Sequence, residues 1–128
     1  MADALKNLKN LKELHIYQNF IRNEGMFEVF ASLQGCQNLE FVDVQDNYVK
    51  EQTASNLANL VKSNKNLKNL NLSDCNMTEE ENEVLLDALE EANLALEKVG
   101  FNYNSLSSEQ AKRFLNILLQ NKSIKVIG

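Results

Sequence analysis

The 128-residue chain has no proline and no tryptophan, and only four glycines, two cysteines and one histidine. Without proline, polyproline stalks and proline-rich linkers are excluded. The few glycines form neither a collagen-like period nor a phosphate-cradling G-x-x-x-x-G-K-[ST] or G-x-G-x-x-G loop. Cys36 and Cys75 are too few for the disulfide framework of a secreted mini-domain, so a reducing compartment is expected. Joined by His15 alone, they cannot fill a four-ligand zinc site without carboxylates, and no cofactor or metal is expected. Thirteen basic against eighteen acidic residues leave a formal charge of −5. That balance lacks the clustered positive charge that nonspecific nucleic-acid or anionic-membrane binding needs. No apolar run approaches the roughly 18 residues of a membrane span, and the start MADALKNLKN has no signal-peptide core.

What is abundant is leucine, 20 residues, and asparagine, 19 residues, within a chain that is 44% apolar. So strong a bias asks for a repeat. The pattern L-x-x-L-x-L-x-x-N/C-x-L occurs four times in full, starting at Leu11, Leu39, Leu67 and Leu96, and a fifth copy begins at Ile124. The starts are 28, 28, 29 and 28 residues apart, the spacing of a leucine-rich repeat. The expected fold is therefore an α/β solenoid of the right-handed, ribonuclease-inhibitor-like kind, with parallel strands on the concave side and helices on the convex side. Residues 1–128 are read as one domain, about four full repeats with partial repeats at both ends.

Each column has a physical role. Leu14 and Ile16 alternate inward while His15 and Tyr17 face out. Asn19, Asn47, Cys75 and Asn104 are expected to form a ladder that satisfies backbone groups of neighbouring turns. Helices follow, with Phe27, Phe30, Ala31 and Leu33, then Leu57, Leu60 and Val61, at apolar spacing. Val84, Leu85, Ala88 and Leu89, then Ala111, Phe114, Leu115 and Leu118, repeat the pattern. Thr78, with Glu81 three residues on, and Ser108 are the expected helix N-caps. Leu5 precedes Leu11 as Leu33 precedes Leu39, so residues 1–10 are expected to be the tail of an earlier helix. Neither end carries a polar cap, which predicts a piece of a longer repeat protein, prone to non-native self-association through its ends.

Catalytic constellations are missing. His15 is the sole histidine and lies on an exposed strand face, so no Ser/His/Asp or Cys/His set can be assembled. The run Glu79, Glu80, Glu81, Glu83, Asp87, Glu90 and Glu91 reads as a solvated convex face. An activity of its own is not expected. What remains is a binding surface: Glu13, Phe41, Asp43, Gln45, Asn69, Asn71, Ser73, Lys98, Gly100 and Asn102 along the strands, with Gln18, Asp46, Asp74 and Tyr103 on the rim. Exposed aromatics beside charges suit a protein partner.

The turns also resemble one family. Gln18-Asn19-Phe20-Ile21-Arg22-Asn23-Glu24-Gly25 resembles the Q-N-G-I-R-x-E-G turn of Ran GTPase-activating proteins. Val42-Asp43-Val44-Gln45-Asp46-Asn47 resembles that family's D-L-Q-D-N run, Leu72-Ser73-Asp74-Cys75 its L-N/S-D-C turn, and Phe101-Asn102-Tyr103-Asn104 its Y-N turn. The resemblance implies a Ran-like small GTPase as partner and stimulation of its GTP hydrolysis in nucleocytoplasmic transport. It also implies a cytoplasmic setting, at the nuclear envelope's cytoplasmic face in one version. Gln18, Arg22, Tyr17, Asp46, Asp43 and Asp74 are the implied contact residues. The family's supporting arginine and asparagine belong to earlier repeats, so weak activation by residues 1–128 alone is expected. Phe20 and Asn23 depart from the family's glycine and proline. Arg113, on a convex helix, receives no partner role. The alternatives are an actin-binding scaffold similar to tropomodulin-like repeat domains, hinted at by Lys62-Ser63-Asn64-Lys65-Asn66-Leu67-Lys68, and a ribonuclease-inhibitor-like or immune-receptor segment.

Overall fold

Each repeat contributes one short strand and one helix. The computed structural model describes residues 10–16, 21–92, 95–102, 104–121 and 123–127. In chain order these are β1 (Glu13–His15), α1 (Asn23–Ser32), β2 (Phe41–Asp43), α2 (Glu51–Ser63), β3 (Asn69–Asn71), α3 (Glu79–Ala92), β4 (Lys98–Gly100), α4 (Ser108–Gln120) and β5 (Val126–Ile127). The strands form one parallel sheet in the order β1-β2-β3-β4-β5. Glu13 pairs with Phe41, Phe41 with Asn69, Asn69 with Lys98 and Lys98 with Val126. Strand register therefore reproduces the repeat spacing step for step.

The central residue of each of the first four strands, Leu14, Val42, Leu70 or Val99, is buried against the helices. Val44, Leu72 and Phe101 continue the layer two residues on, the period of a strand. From the other side α2 inserts Ala54, Leu57, Ala58, Leu60 and Val61, and α3 inserts Leu85, Leu86, Ala88 and Leu89. The core is thus a continuous seam between one sheet and a row of helices. Each fully buried leucine in it contributes about 1.5–3 kcal/mol.

The expected ladder is present where it is described. Asn47 accepts the Ile21 N–H at 2.8 Å and donates to the carbonyls of Ile16 and Val44. Asn104 accepts the N–H groups of Cys75 and Met77 and donates to Leu72 O at 2.6 Å. Cys75 does half of this, donating its thiol to Val44 O at 3.3 Å. A thiol is a poor acceptor, so Val49 N–H, the counterpart of Ile21 and Met77, turns to the Cys75 carbonyl instead. Asn19 lies outside the described residues.

A second ladder runs through the helix side, at a column where apolar spacing gave no signal. The Thr53 hydroxyl donates to Asn23 O, the Glu81 carboxylate accepts the Glu51 N–H, and the Gln110 amide donates to Glu79 O. All three side chains are buried, and each binds the first helical residue of the preceding repeat. Asn64, also buried, accepts the Leu39 N–H at 2.9 Å and so ties the end of α2 to the start of its own repeat.

Several sequence expectations are corrected. The cap of α4 is Ser107, whose hydroxyl accepts the Gln110 N–H while Gln110 accepts the Ser107 N–H, so Ser108 lies inside the helix. Glu81 does accept the Thr78 N–H at 3.1 Å, but the Thr78 hydroxyl donates to the same carboxylate instead of capping the helix. Ala111 and Leu115 are exposed: α4 buries Gln110, Phe114 and Leu118 toward its neighbour, and Leu115 keeps 54% of its surface. The acidic run is not simply solvated. Arg113 donates to Glu83 at 2.5 Å, Asp87 at 2.5 Å and Glu90 at 3.1 Å, clasping α4 onto α3. The expected helix tail over residues 1–10 lies almost wholly outside the described residues.

Candidate functional site

Strand residues on either side of the buried central position point away from the helices and build two columns. Glu13, Phe41, Asn69 and Lys98 form one; His15, Asp43, Asn71 and Gly100 form the other. The β2, β3 and β4 members of these columns, together with the rim residues Asp46, Ser73, Asp74 and Asn102, line a groove of about 450 Å³. At its β1 end the His15 ring stacks on Phe41, centroids 4.3 Å apart, and His15 Nε2 meets Glu13 Oε2 at 3.0 Å.

The floor is a polar network. Asp43 accepts the Gln45 N–H at 3.2 Å, and Asn71 accepts the Ser73 N–H at 3.1 Å. The Asn71 amide donates to Asp43 Oδ2 at 3.5 Å, and the Ser73 hydroxyl accepts the Asn102 N–H at 3.1 Å. Gly100 makes room for this: a Cβ there would lie 2.5 Å from Asn71 Oδ1 and 2.9 Å from Ser73 Oγ. The column order aspartate, asparagine, glycine thus lets each side chain lean over the next strand.

On the rim, Asp46 and Asp74 occupy the same place in successive repeats, both in the left-handed region, at φ 59° and 54°. Their N–H groups donate to Ser73 O and Asn102 O, so the ladder of turns holds both carboxyls side by side. Their mutual hydrogen bond, some desolvation and repulsion from Asp46 raise the Asp74 pKa above its ordinary value. Behind the rim, burial pushes the Cys75 thiol up to about 12.

Of the residues expected to touch a partner, the structure brings together Asp43, Asp46 and Asp74. Asp43 is turned into the network and only 9% exposed, so its role there is to position its neighbours. Arg22 is exposed and caps α1 with its backbone alone. Tyr17 and Gln18 lie outside the described residues. The Asn71–Ser73–Gly100 arrangement was missed, although a glycine within a strand is a signal of close approach. Among the described residues no three histidine, cysteine or carboxylate side chains are grouped as a metal ion would require.

The Leucine Rich Repeat family pattern matches residues 66–88, which run from the start of the third repeat into α3. No curated protein matches the sequence. Among solved structures, the chain is similar to leiomodin-1 actin-binding site 2, with a TM-score of 0.76 and 18% identity over 99% of this chain and 75% of that one. It is also similar to the tropomodulin C-terminal domain from Caenorhabditis elegans, with a TM-score of 0.75 and 16% identity over 99% of this chain and 81% of that one. At such identities the likeness shows the fold, a leucine-rich-repeat-like α/β architecture. Nothing in these matches is specific to Ran GTPase-activating proteins.

Proposed function

We propose that this chain is a protein-binding scaffold that docks its partner on the concave groove, and that the partner is actin. The observation that carries the scaffold reading is the groove itself: an uncovered sheet face with a rigid polar floor, an aromatic at one end and paired carboxylates on its rim. The support for actin is the fold shared along nearly the whole chain with a leiomodin-1 segment named as an actin-binding site. The reading asks for no chemistry from the chain itself, and it places the protein in the cytoplasm. Co-sedimentation with filamentous actin, together with pyrene-actin assembly kinetics, tests it. Saturable binding lost on substituting groove residues is the expected result, and failure to bind either filaments or monomers would sink the actin reading.

The second reading is the Ran GTPase-activating one, favoured by Asp46 and Asp74, which carry the D-N and D-C turns and stand together on the rim. On that reading the chain positions groups on a GTPase whose own residues perform the hydrolysis. A pull-down comparing Ran loaded with a GTP analogue against actin separates the two. Single-turnover GTP hydrolysis is expected to show weak stimulation by residues 1–128.

A further inference from the structure

We propose that the groove takes an extended segment of a protein partner, one that presents an arginine or lysine to Asp46 and Asp74 and an apolar side chain to Phe41. The inference rests on the scaffold reading but not on which protein the partner is. Charge complementarity is the argument. Of the ionised groups lining the groove, Asp43, Asp46 and Asp74 are acidic and Lys98 alone is basic. Asp43 is occupied by Gln45 N–H and the Asn71 amide. Asp46 and Asp74 have each other, and among the described residues no lysine or arginine pairs with them.

The two carboxylates cannot relax apart cheaply, because their backbones are tied to the next repeat through Ser73 O and Asn102 O. A guanidinium or ammonium group placed between them would replace repulsion with two charge-assisted hydrogen bonds. Lys98 lies in the column at the start of the strands, on the far side of the groove from the rim turns. It repels a cation there and so sets which way the segment lies. Phe41, half-buried and already stacked on one side by His15, offers the apolar contact in the same strand-start column, two strands away from Lys98.

The test uses the full chain and two fluorescein-labelled octapeptides, one alternating arginine with leucine and one alternating glutamate with leucine. The expected result is a preference of about tenfold or more for the arginine peptide, with amide shifts at Asn71, Ser73 and Asn102. Asp46→Asn with Asp74→Asn should lose about tenfold, since asparagine accepts the left-handed backbone but carries no charge. Glu79→Gln with Glu80→Gln, on exposed positions of α3, removes the same net charge and should leave binding unchanged. Equal loss in both double variants would mean bulk attraction to an acidic protein and would overturn the proposal, as would no preference between the peptides. Should the arginine peptide fail while actin still binds, the inference falls and the scaffold reading stands. Peptide binding without actin binding removes only the named partner.

Discussion

Glu81 accepts the backbone N–H of Glu51 at 3.4 Å, thirty residues earlier and one repeat away. Glu51 opens α2 at φ 44°, a left-handed conformation that a non-glycine residue adopts only at a cost. The same carboxylate takes the Thr78 N–H and hydroxyl. One buried acid therefore starts its own helix and pins the start of the previous one, which makes cohesion between repeats depend on polar as well as apolar columns.

Glu81→Ala is expected to destabilise by about 1–2 kcal/mol, the cost of a lost cap plus unpaired N–H groups. Burial raises the Glu81 pKa, but hydrogen bonds from Thr78 and from the Glu81 and Glu51 backbones outweigh it and leave the value lowered. A lowered folded pKa gives stability that is present above the ordinary carboxylate value and lost as pH falls through the folded one. Urea unfolding should therefore show a wild-type advantage at pH 7 that shrinks in acid. An unchanged advantage at the acidic end would remove the electrostatic explanation.

Cys75→Asn is expected to be neutral or stabilising, because an amide supplies the acceptor that a thiol lacks next to Val49 N–H. Cys75→Ala should cost about 1–3 kcal/mol, because it opens a gap in a site with no solvent exposure and leaves Val44 O with the Asn47 amide alone as its side-chain donor. Thermal unfolding of both variants checks the pair, and a cost for asparagine equal to that for alanine would contradict the ladder's logic. Burial also raises the Cys36 pKa, so neither thiol should react with a disulfide reagent at pH 8 until the protein unfolds.

Gly100→Ala should cost about 1–3 kcal/mol, because the new methyl collides with Asn71 Oδ1 and Ser73 Oγ and must displace both. The loss should be visible as faster amide exchange at Ser73 and Asn102, whose hydrogen bonds depend on those side chains. Unchanged exchange at these two amides would show that the floor does not need its glycine.

Arg113→Met is expected to cost at most about 1 kcal/mol, since the carboxylates it joins are half-exposed and well screened. The wild type should lose this margin in high salt while the variant does not change. Denaturant midpoints across a salt series decide it.

The strand register was legible because a spacing repeated four times leaves no freedom: Leu14, Val42, Leu70 and Val99 align in the sequence as they pair in the sheet. Asn47 and Asn104 were legible for the same reason. Thr53, Glu81 and Gln110 were not, because they share a column without sharing a residue type, and what unites them is a hydrogen bond to the previous helix. Much of the asparagine excess is of this kind. Asn23, Asn71 and Asn82 each bond backbone or side chains in an adjacent repeat, and Asn64 bonds the backbone at the start of its own. Asp43 looked like a contact residue because alternation places it outward, and alternation cannot show that Asn71 and Gln45 would occupy it. Ser107 and Ser108 both suit a cap, and Gln110, three residues after Ser107, decides between them.

Asp74→Asn should raise stability and lower partner binding together. The Asp74 pKa is raised, by its hydrogen bond with Asp46 first and by desolvation and repulsion after it. A raised folded pKa means the folded chain holds the proton more tightly than the unfolded one. Its penalty is absent below the ordinary value of 3.8 and grows as pH rises through the folded pKa. The variant should therefore melt above the wild type at pH 7 and level with it in strong acid, a pH dependence opposite in sign to that of Glu81. If the carboxylate pair serves only the fold, its removal would leave peptide affinity unchanged. A variant that is at once more stable and a weaker binder has given up a repulsion maintained for a cationic partner.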